Sequence, residues 1–224
     1  MKNYRQTSVQ AAALVYFAVV GALVLGGGMG SEGRAEDTNN ILQQVKQAAQ
    51  EGTQKFYPRA EKRKARYGFA ESDNLSAATL GEPDRLFFID SKAAQAYRDG
   101  TPLTTLIQPS GQWFVPVSVG GTNRAMLGVV DDGAGHWVGA TFGMAPLARA
   151  WQRIQERWPA SNHFTPELLI CPPTEGYYLT VPQVDPPNLT PLTRLFPAQG
   201  EAPPALMPVN ACLSGIQTNL NNHP

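Results

Sequence analysis

The stretch QWFVPVSVGGTNRAMLGVVDDGAGHWVGATFG, residues 112–143, decides the fold of this chain. Its first part places apolar side chains at every second position, which is typical of a β-strand. The glycine pair at 120–121 and the turn sequence DDGAG reverse the chain twice. The pattern therefore predicts an antiparallel meander of three strands, at 112–119, 125–130 and 137–142.

Further strands and two helices flank the meander on both sides. RLFFID at 85–90 predicts a strand, and SKAAQAYR at 91–98 predicts a short helix that Gly100 ends. Short apolar runs at 167–171 and 177–181 add two more strands. The predicted fold class is α+β, with an antiparallel meander of about five to six short strands and an amphipathic helix on one face.

The amphipathic helix is predicted over 146–158, between Gly143 and Pro159. Four apolar side chains recur at spacings of four, three and four residues, which is one face of a helix. Aromatic stripes of this kind are far more often core than cofactor sites, so we expect them to pack on the sheet. The four residues are Leu147, Trp151, Ile154 and Trp158.

The N-terminus predicts export. Lys2 and Arg5 precede a run, residues 6–31, that contains no charged side chain and has an apolar centre. We interpret residues 1–35 as a signal peptide cleaved before Glu36, and the alternative is an anchor in which residues 11–30 stay in the membrane. Either way the remainder is expected in the periplasm or outside the cell, with membrane contact only if the segment is not cleaved.

Residues 36–79 predict a helical stalk followed by a basic linker. A helix is expected from Asn40 to Phe56, with Pro58 ending it, and its narrow, alanine-rich stripe predicts either light packing on another element or a stalk between membrane and domain. The linker, rich in lysine and arginine over 55–66, is interpreted as a solvated face in preference to a site for membranes or anionic polymers. Nucleic acid is excluded as a partner because the chain is exported and its 18 basic residues balance its 18 acidic ones.

The domain proper is expected over 80–182, and a proline-rich tail over 183–224. Eight prolines between positions 182 and 208 favour extended, polyproline-like paths. An oxidising compartment permits a disulfide between Cys171 and Cys212, which would tie the tail to the domain and stabilise it by about 4 kcal/mol. The alternative is a pair of free thiols, since sequence spacing does not fix the distance between them.

The leading functional hypothesis is a non-catalytic binding module. Pro116 lacks an N–H, so the strand that carries it is expected at a sheet edge or at a bulge, and the binding hypothesis takes the edge. Trp113 and Phe114 would then be partly exposed, ready to capture an extended peptide or protein strand. A protein or peptide partner is therefore predicted at Trp113, Phe114 and Pro116.

Two other functions stay open, although an enzyme is not favoured. An envelope or extracellular hydrolase would need His136 or His163 beside a carboxylate or Cys171. A purely structural scaffold would use the stalk and the tail. The cluster of Asp131, Asp132 and His136 is interpreted as a turn and not as a metal site, and no cofactor motif is present.

Overall fold

The computed structural model describes residues 31–171, 174, 176–195 and 205–222, with side chains from Thr38 to Leu220 within these ranges. The predicted export segment up to residue 30 and the tail prolines within 196–204 lie outside the described residues. Contacts divide the chain into Met1–Asp37 and Thr38–Pro224, and every contact given below lies within the second unit. No helix in the described ranges is long and apolar enough to cross a membrane.

Helices and strands follow one another along the chain with three short 3₁₀ turns between them. The helices are α1 (Ser31–Glu61), α2 (Lys64–Tyr67), α3 (Ser91–Ala96), α4 (Ala145–Arg157), α5 (Leu192–Leu195) and α6 (Val209–Asn222). The strands are β1 (Thr79–Leu80), β2 (Asp84–Ile89), β3 (Ile107–Val119), β4 (Thr122–Asp131), β5 (Trp137–Gly143), β6 (Glu167–Cys171), β7 (Gly176–Thr180) and β8 (Thr190–Pro191).

The described strands form one mixed sheet of eight, in the order β5-β4-β3-β2-β6-β7-β8, with β1 paired to β3. All neighbours are antiparallel except β2 and β6, which run parallel. The predicted α+β class and the meander β3-β4-β5 are confirmed. The prediction of five to six antiparallel strands is too small, because the sequence pattern does not reveal the two-residue strands β1 and β8 or the parallel pairing.

A two-residue loop closes the hairpin between β3 and β4. Val119 pairs with Thr122, and the intervening Gly120 and Gly121 have φ angles of 58° and 76°. Both angles lie in the left-handed region, where glycine carries no steric penalty. The loop therefore matches the twist of the two strands, as predicted from the glycine pair.

One face of the sheet is covered by α4. The predicted stripe of this helix is buried, and Trp151 packs with Leu86 of β2 and Phe114 of β3. Trp151 is 2 % exposed. Burying such a ring is worth several kcal/mol at roughly 25 cal/mol per Å², which fixes the helix on the sheet.

The opposite face of the sheet carries α1, so the described part of this helix packs on the domain. Val45 and Ala49 are buried in a cluster with Leu127 of β4. At the crossing point a side chain on Gly139 of β5 would lie 2.8 Å from the Cα atom of Gly52. The alanine-rich stripe that suggested light packing is thus a close contact between helix and sheet, because small side chains let the two backbones approach.

The end of α1 also differs from the prediction. Pro58 lies inside the helix, which continues to Glu61. The basic stretch follows, and its flanking aromatic rings pack around Phe142 of β5 at centroid distances of 5.5 to 6.1 Å. These contacts hold the stretch against the sheet. The four rings are Phe56, Tyr57, Tyr67 and Phe69.

The tail contains the helix α6, which the proline count concealed. Leu213 and Ile216 are buried on the same face as α1, in a cluster with Leu169 of β6. The extended path was expected for the proline-rich segment up to Pro208, and no helix was predicted after it. The helix begins at Val209, directly after Pro208, so no proline interrupts the helical spacing of its apolar residues.

The predicted disulfide is not formed in this structure, where Cys171 and Cys212 are free, buried thiols in the α6 cluster. Apolar packing of α6 on β6 secures the tail where a covalent link was expected. Burial raises the pKa of both thiols, that of Cys212 to about 12. Since the thiolate is the reactive form, both side chains are expected to be inert in the folded protein.

Candidate functional site

The structure places the predicted binding residues inside the sheet, not at its edge. Trp113 and Phe114 are only 6 % and 5 % exposed, and their strand β3 lies between β4 and β2. The expectation that these rings are partly exposed is therefore wrong. Phe114 belongs to the cluster under α4, whereas Trp113 belongs to the cluster under α1.

Pro116 is tolerated in an interior strand because of where its nitrogen points. The carbonyl oxygen of Pro116 accepts a hydrogen bond of 2.8 Å from the N–H of Gly81. The nitrogen and carbonyl of one strand residue face the same side, so the proline nitrogen also faces Gly81. That residue lies in the loop between β1 and β2, where no ladder bond is lost.

The long edge of the sheet is β5, the third strand of the meander. Among the described residues, its main chain is hydrogen-bonded to β4 and to no other partner. One side of the strand therefore presents free N–H and C=O groups along its length. Val138, in the same strand, is 40 % exposed.

The two ends of the sheet differ in how they resist pairing with another strand. At the β8 end the edge strand is two residues long and contains Pro191, and both features block strand addition. At the β5 end the edge strand is seven residues long, with the sequence WVGATFG. It contains no proline and no charged side chain, while its ladder with β4 has one irregularity, between the pairs Gly128–Thr141 and Val129–Gly139.

The second candidate site is a line of polar side chains across four strands. Arg85 of β2 pairs with Trp113, and Glu167 of β6 pairs with Thr180 of β7. In the parallel pairing of β2 with β6, Leu86 lies opposite Leu168. Arg85 and Glu167 each precede one of these leucines, so they are also neighbours. We call Trp113, Arg85, Glu167 and Thr180 the polar row.

Each member of the polar row has a buried side-chain atom that finds no hydrogen-bond partner among the described residues. These atoms are Nε1 of Trp113, Nε of Arg85, Oε2 of Glu167 and Oγ1 of Thr180. Buried polar groups are normally paired, and an unpaired one costs about 1–3 kcal/mol. Four such atoms in adjacent positions therefore mark this part of the sheet as unusual.

The row lies between the two apolar clusters on the face of α1 and α6. Trp113 belongs to the α1 cluster, and Tyr178, two residues before Thr180, belongs to the α6 cluster. Arg85 and Glu167, in the middle, are half-buried. The row is thus closed at both ends and partly open at its centre.

Burial governs the charges in the row. The Arg85 guanidinium lies 5.6 Å from the centre of the Trp113 ring, within the range of a cation–π contact. Burial lowers the pKa of Arg85 and raises the pKa of Glu167. Each charge is thus partly desolvated, and no ion pair to either side chain occurs in the described part of the chain.

A third polar feature, Asp84, lies on the opposite face beneath α4. Its Oδ2 accepts a hydrogen bond of 2.6 Å from the indole N–H of Trp151. Burial raises the pKa of Asp84 to about 7; the Trp151 hydrogen bond opposes this rise, and the charge of Glu82 adds to it. The hydrogen bond to Trp151 thus joins α4 to β2 through a carboxyl group whose pKa is about 7.

Of the residues in the hydrolase hypothesis, one histidine lies beside a carboxylate and neither lies beside Cys171 among the described residues. His136 is exposed in the β4–β5 turn, with Nδ1 3.3 Å from Oδ2 of Asp132, and no described contact joins it to Cys171. His163 is exposed and follows a 3₁₀ turn with a φ angle of 63°. Cys171 is fully buried, so the described residues place neither histidine beside it.

The aspartates beside His136 form a turn, as interpreted from the sequence. Oδ1 of Asp132 accepts hydrogen bonds from the N–H groups of Ala134 and His136, at 2.8 and 3.1 Å. These bonds lower the pKa of Asp132. Within the described ranges, no group of three or more His, Cys, Asp or Glu side chains could hold a metal ion.

Comparison with known proteins yields no relative. Neither a family model, nor a curated protein, nor a solved structure matches this chain. The function must therefore be inferred from the geometry of the two candidate sites, the β5 edge and the polar row.

Neither site was predicted from the sequence. The strand WVGATFG was predicted, and so were the strands that begin RLFFID and ELLIC. The order of the strands in the sheet was not predicted, because Pro116 is typical of an edge strand or a bulge, whereas here it lies in an interior strand. An uncharged strand at the end of a meander is a signal for β5, whereas the pairing of β2 with β6 leaves no signal in a single sequence.

Proposed function

We propose that this chain is an exported, non-catalytic binding protein that captures an extended segment of a partner protein as an added strand beside β5. The export part of the proposal rests on Lys2, Arg5 and the uncharged run that follows them. The binding part rests on one observation. The seven-residue edge β5 has main-chain groups that pair with no described residue, and it carries no guarding charge or proline.

The residues around β5 favour a rigid edge. On one face Gly139 is seated on Gly52 of α1, and Phe142 stacks on Phe56 at 5.5 Å. Trp137 contacts Trp113 edge-on at 6.5 Å. A partner strand would thus meet a preformed template, which lowers the entropic cost of binding.

The expected affinity follows from the number of hydrogen bonds. Alternate residues of an edge strand point their main-chain groups outward, so a strand of seven residues offers about three such residues and about six bonds. At a net value of roughly 1 kcal/mol per bond, the ladder would contribute about 6 kcal/mol. Contacts with Val138 and its neighbours would bring the affinity into the micromolar range.

The proposal is tested by selecting binders from a random library of extended peptides on the full chain. The affinity of a selected peptide is then measured by calorimetry for the wild type and for Val138→Lys. A lysine on an edge strand opposes strand addition, because the incoming strand must desolvate it. We expect Val138→Lys to weaken binding at least tenfold.

The matched control is Thr104→Lys, which adds the same charge at an exposed position of the 3₁₀ turn before β3. This variant should bind the peptide like the wild type. Equal affinities for Val138→Lys and the wild type would place the peptide elsewhere and refute the proposal. A library that yields no peptide at all would refute it as well.

A further inference from the structure

We propose that the polar row is a binding site for a small ligand that carries both a carboxylate and an amino group, of which a free amino acid is the simplest. This inference rests on other residues than the proposed strand capture, although Trp113 of the polar row contacts Trp137 of β5 edge-on. It rests on which groups are unpaired, where they lie and how solvent reaches them.

The unpaired groups are costly unless something pairs with them. At about 1–3 kcal/mol each, the four unpartnered atoms of the row would offset much of the 5–15 kcal/mol that stabilises a typical domain. Trp113 and Thr180 are 6 % and 1 % exposed, so bulk water does not satisfy their Nε1–H and Oγ1 groups. Such a cost is typical of binding sites, where the ligand supplies the missing partners.

The row is open where its charges lie. Arg85 and Glu167 are half-buried in the middle, while the apolar clusters of α1 and α6 close the two ends. Successive strands are about 4.8 Å apart, so the row spans roughly 14 Å in all and its two charged side chains start one strand apart. The two charged side chains are therefore close enough for one small molecule to contact both.

The chemistry of the four groups selects the class of ligand. Arg85 Nε–H and Trp113 Nε1–H are donors on neighbouring strands, and together they suit a carboxylate. Glu167 Oε2 on the other side is an acceptor without a cationic partner among the described residues, and it suits an ammonium group. The hydroxyl of Thr180 either donates or accepts beside it.

A zwitterion would pair with both charged side chains at once. A simple anion would leave Glu167 desolvated and unpaired, and a simple cation would do the same to Arg85, at the penalty that isolated buried charges carry. An amino acid has both groups on a single carbon, which matches the short distance between side chains on adjacent strands. We therefore expect it to bind better than either half.

The test is a calorimetric titration of the full chain with the twenty amino acids, first pooled and then singly, alongside acetate and methylamine. We expect at least one amino acid to bind with one-to-one stoichiometry, and the single-charge probes to bind at least tenfold more weakly. Arg85→Gln and Glu167→Gln should each weaken binding at least tenfold. Val138→Lys should leave it unchanged, so strand capture and amino acid binding fail separately.

Thr180→Val keeps the proposal falsifiable if the charge variants fold poorly. Valine has the shape of threonine without the unpaired hydroxyl, so it should raise the melting temperature of the ligand-free protein while weakening binding. Thr104→Val, at an exposed position, should change neither quantity. The inference is overturned if no amino acid binds at millimolar concentration, if acetate binds as tightly, or if binding survives in Thr180→Val unchanged.

Discussion

Replacing Asp84 with asparagine should alter the pH dependence of stability in a direction that the structure fixes. In the folded protein the pKa of Asp84 is raised from 3.8 to about 7. The folded state therefore binds a proton that the unfolded state releases between these values. The stabilising contribution is complete below pH 4 and is lost as the pH rises to about 7.

The magnitude follows from the size of the shift. One pKa unit corresponds to about 1.4 kcal/mol, so a shift of about three units has a ceiling of about 4 kcal/mol. Asp84 is half-buried, and partial solvation reduces the effect, so we expect about 2–3 kcal/mol. Asparagine retains an oxygen to accept the Trp151 N–H but cannot ionise, so Asp84→Asn should lack this loss.

The assay is urea unfolding of the wild type and Asp84→Asn at half-unit steps from pH 4 to pH 8. The variant should become the more stable of the two by a margin that grows by 2–3 kcal/mol as the pH rises, with the same m-value. Asp99→Asn, at an exposed position, should show no such growth. A margin that stays constant with pH, or shrinks as the pH rises, would show that Asp84 is not desolvated under α4.

Two further predictions concern packing. Gly139→Ala should lower the free energy of unfolding by about 1–3 kcal/mol in thermal or urea unfolding, because its new methyl group would lie 2.8 Å from the backbone of Gly52. The control is Gly111→Ala, whose new methyl group would lie 3.7 Å from its nearest neighbour and should cost less. Equal losses of stability in the two variants would contradict the contact with α1. Cys171 and Cys212 should react with a thiol reagent only after unfolding, so fast labelling of the native protein, or none after unfolding, would contradict their description as buried, free thiols.

The local structure was largely predictable from the sequence. The meander, the hairpin glycines and the α4 stripe were found because each is specified by residues close in sequence, through alternation, turn chemistry or helical spacing. The helix α6 was also within reach. The residues Val209, Cys212, Leu213 and Ile216 have helical spacing, but the prolines before them favour an extended path and conceal this pattern.

The order of the strands was not predictable in the same way. Pro116 indicated an edge, yet it lies inside the sheet because its nitrogen faces the loop at Gly81, whose N–H bonds to the Pro116 carbonyl. The polar row depends on the parallel pairing of β2 with β6, which brings Arg85 beside Glu167 across a long interval of sequence. Such long-range pairing is set by packing on both faces of the sheet, and one sequence does not encode it in any local pattern.

Amide hydrogen exchange along β5 tests the central claim most directly. In the free protein the outward-facing amides of Trp137–Gly143 should exchange rapidly, while the amides bonded to β4 are protected. A saturating peptide selected from the library should protect those outward-facing amides and leave the β8 edge unchanged. Slow exchange of every β5 amide in the free protein, or protection by the peptide at another part of the chain alone, would contradict strand addition at β5.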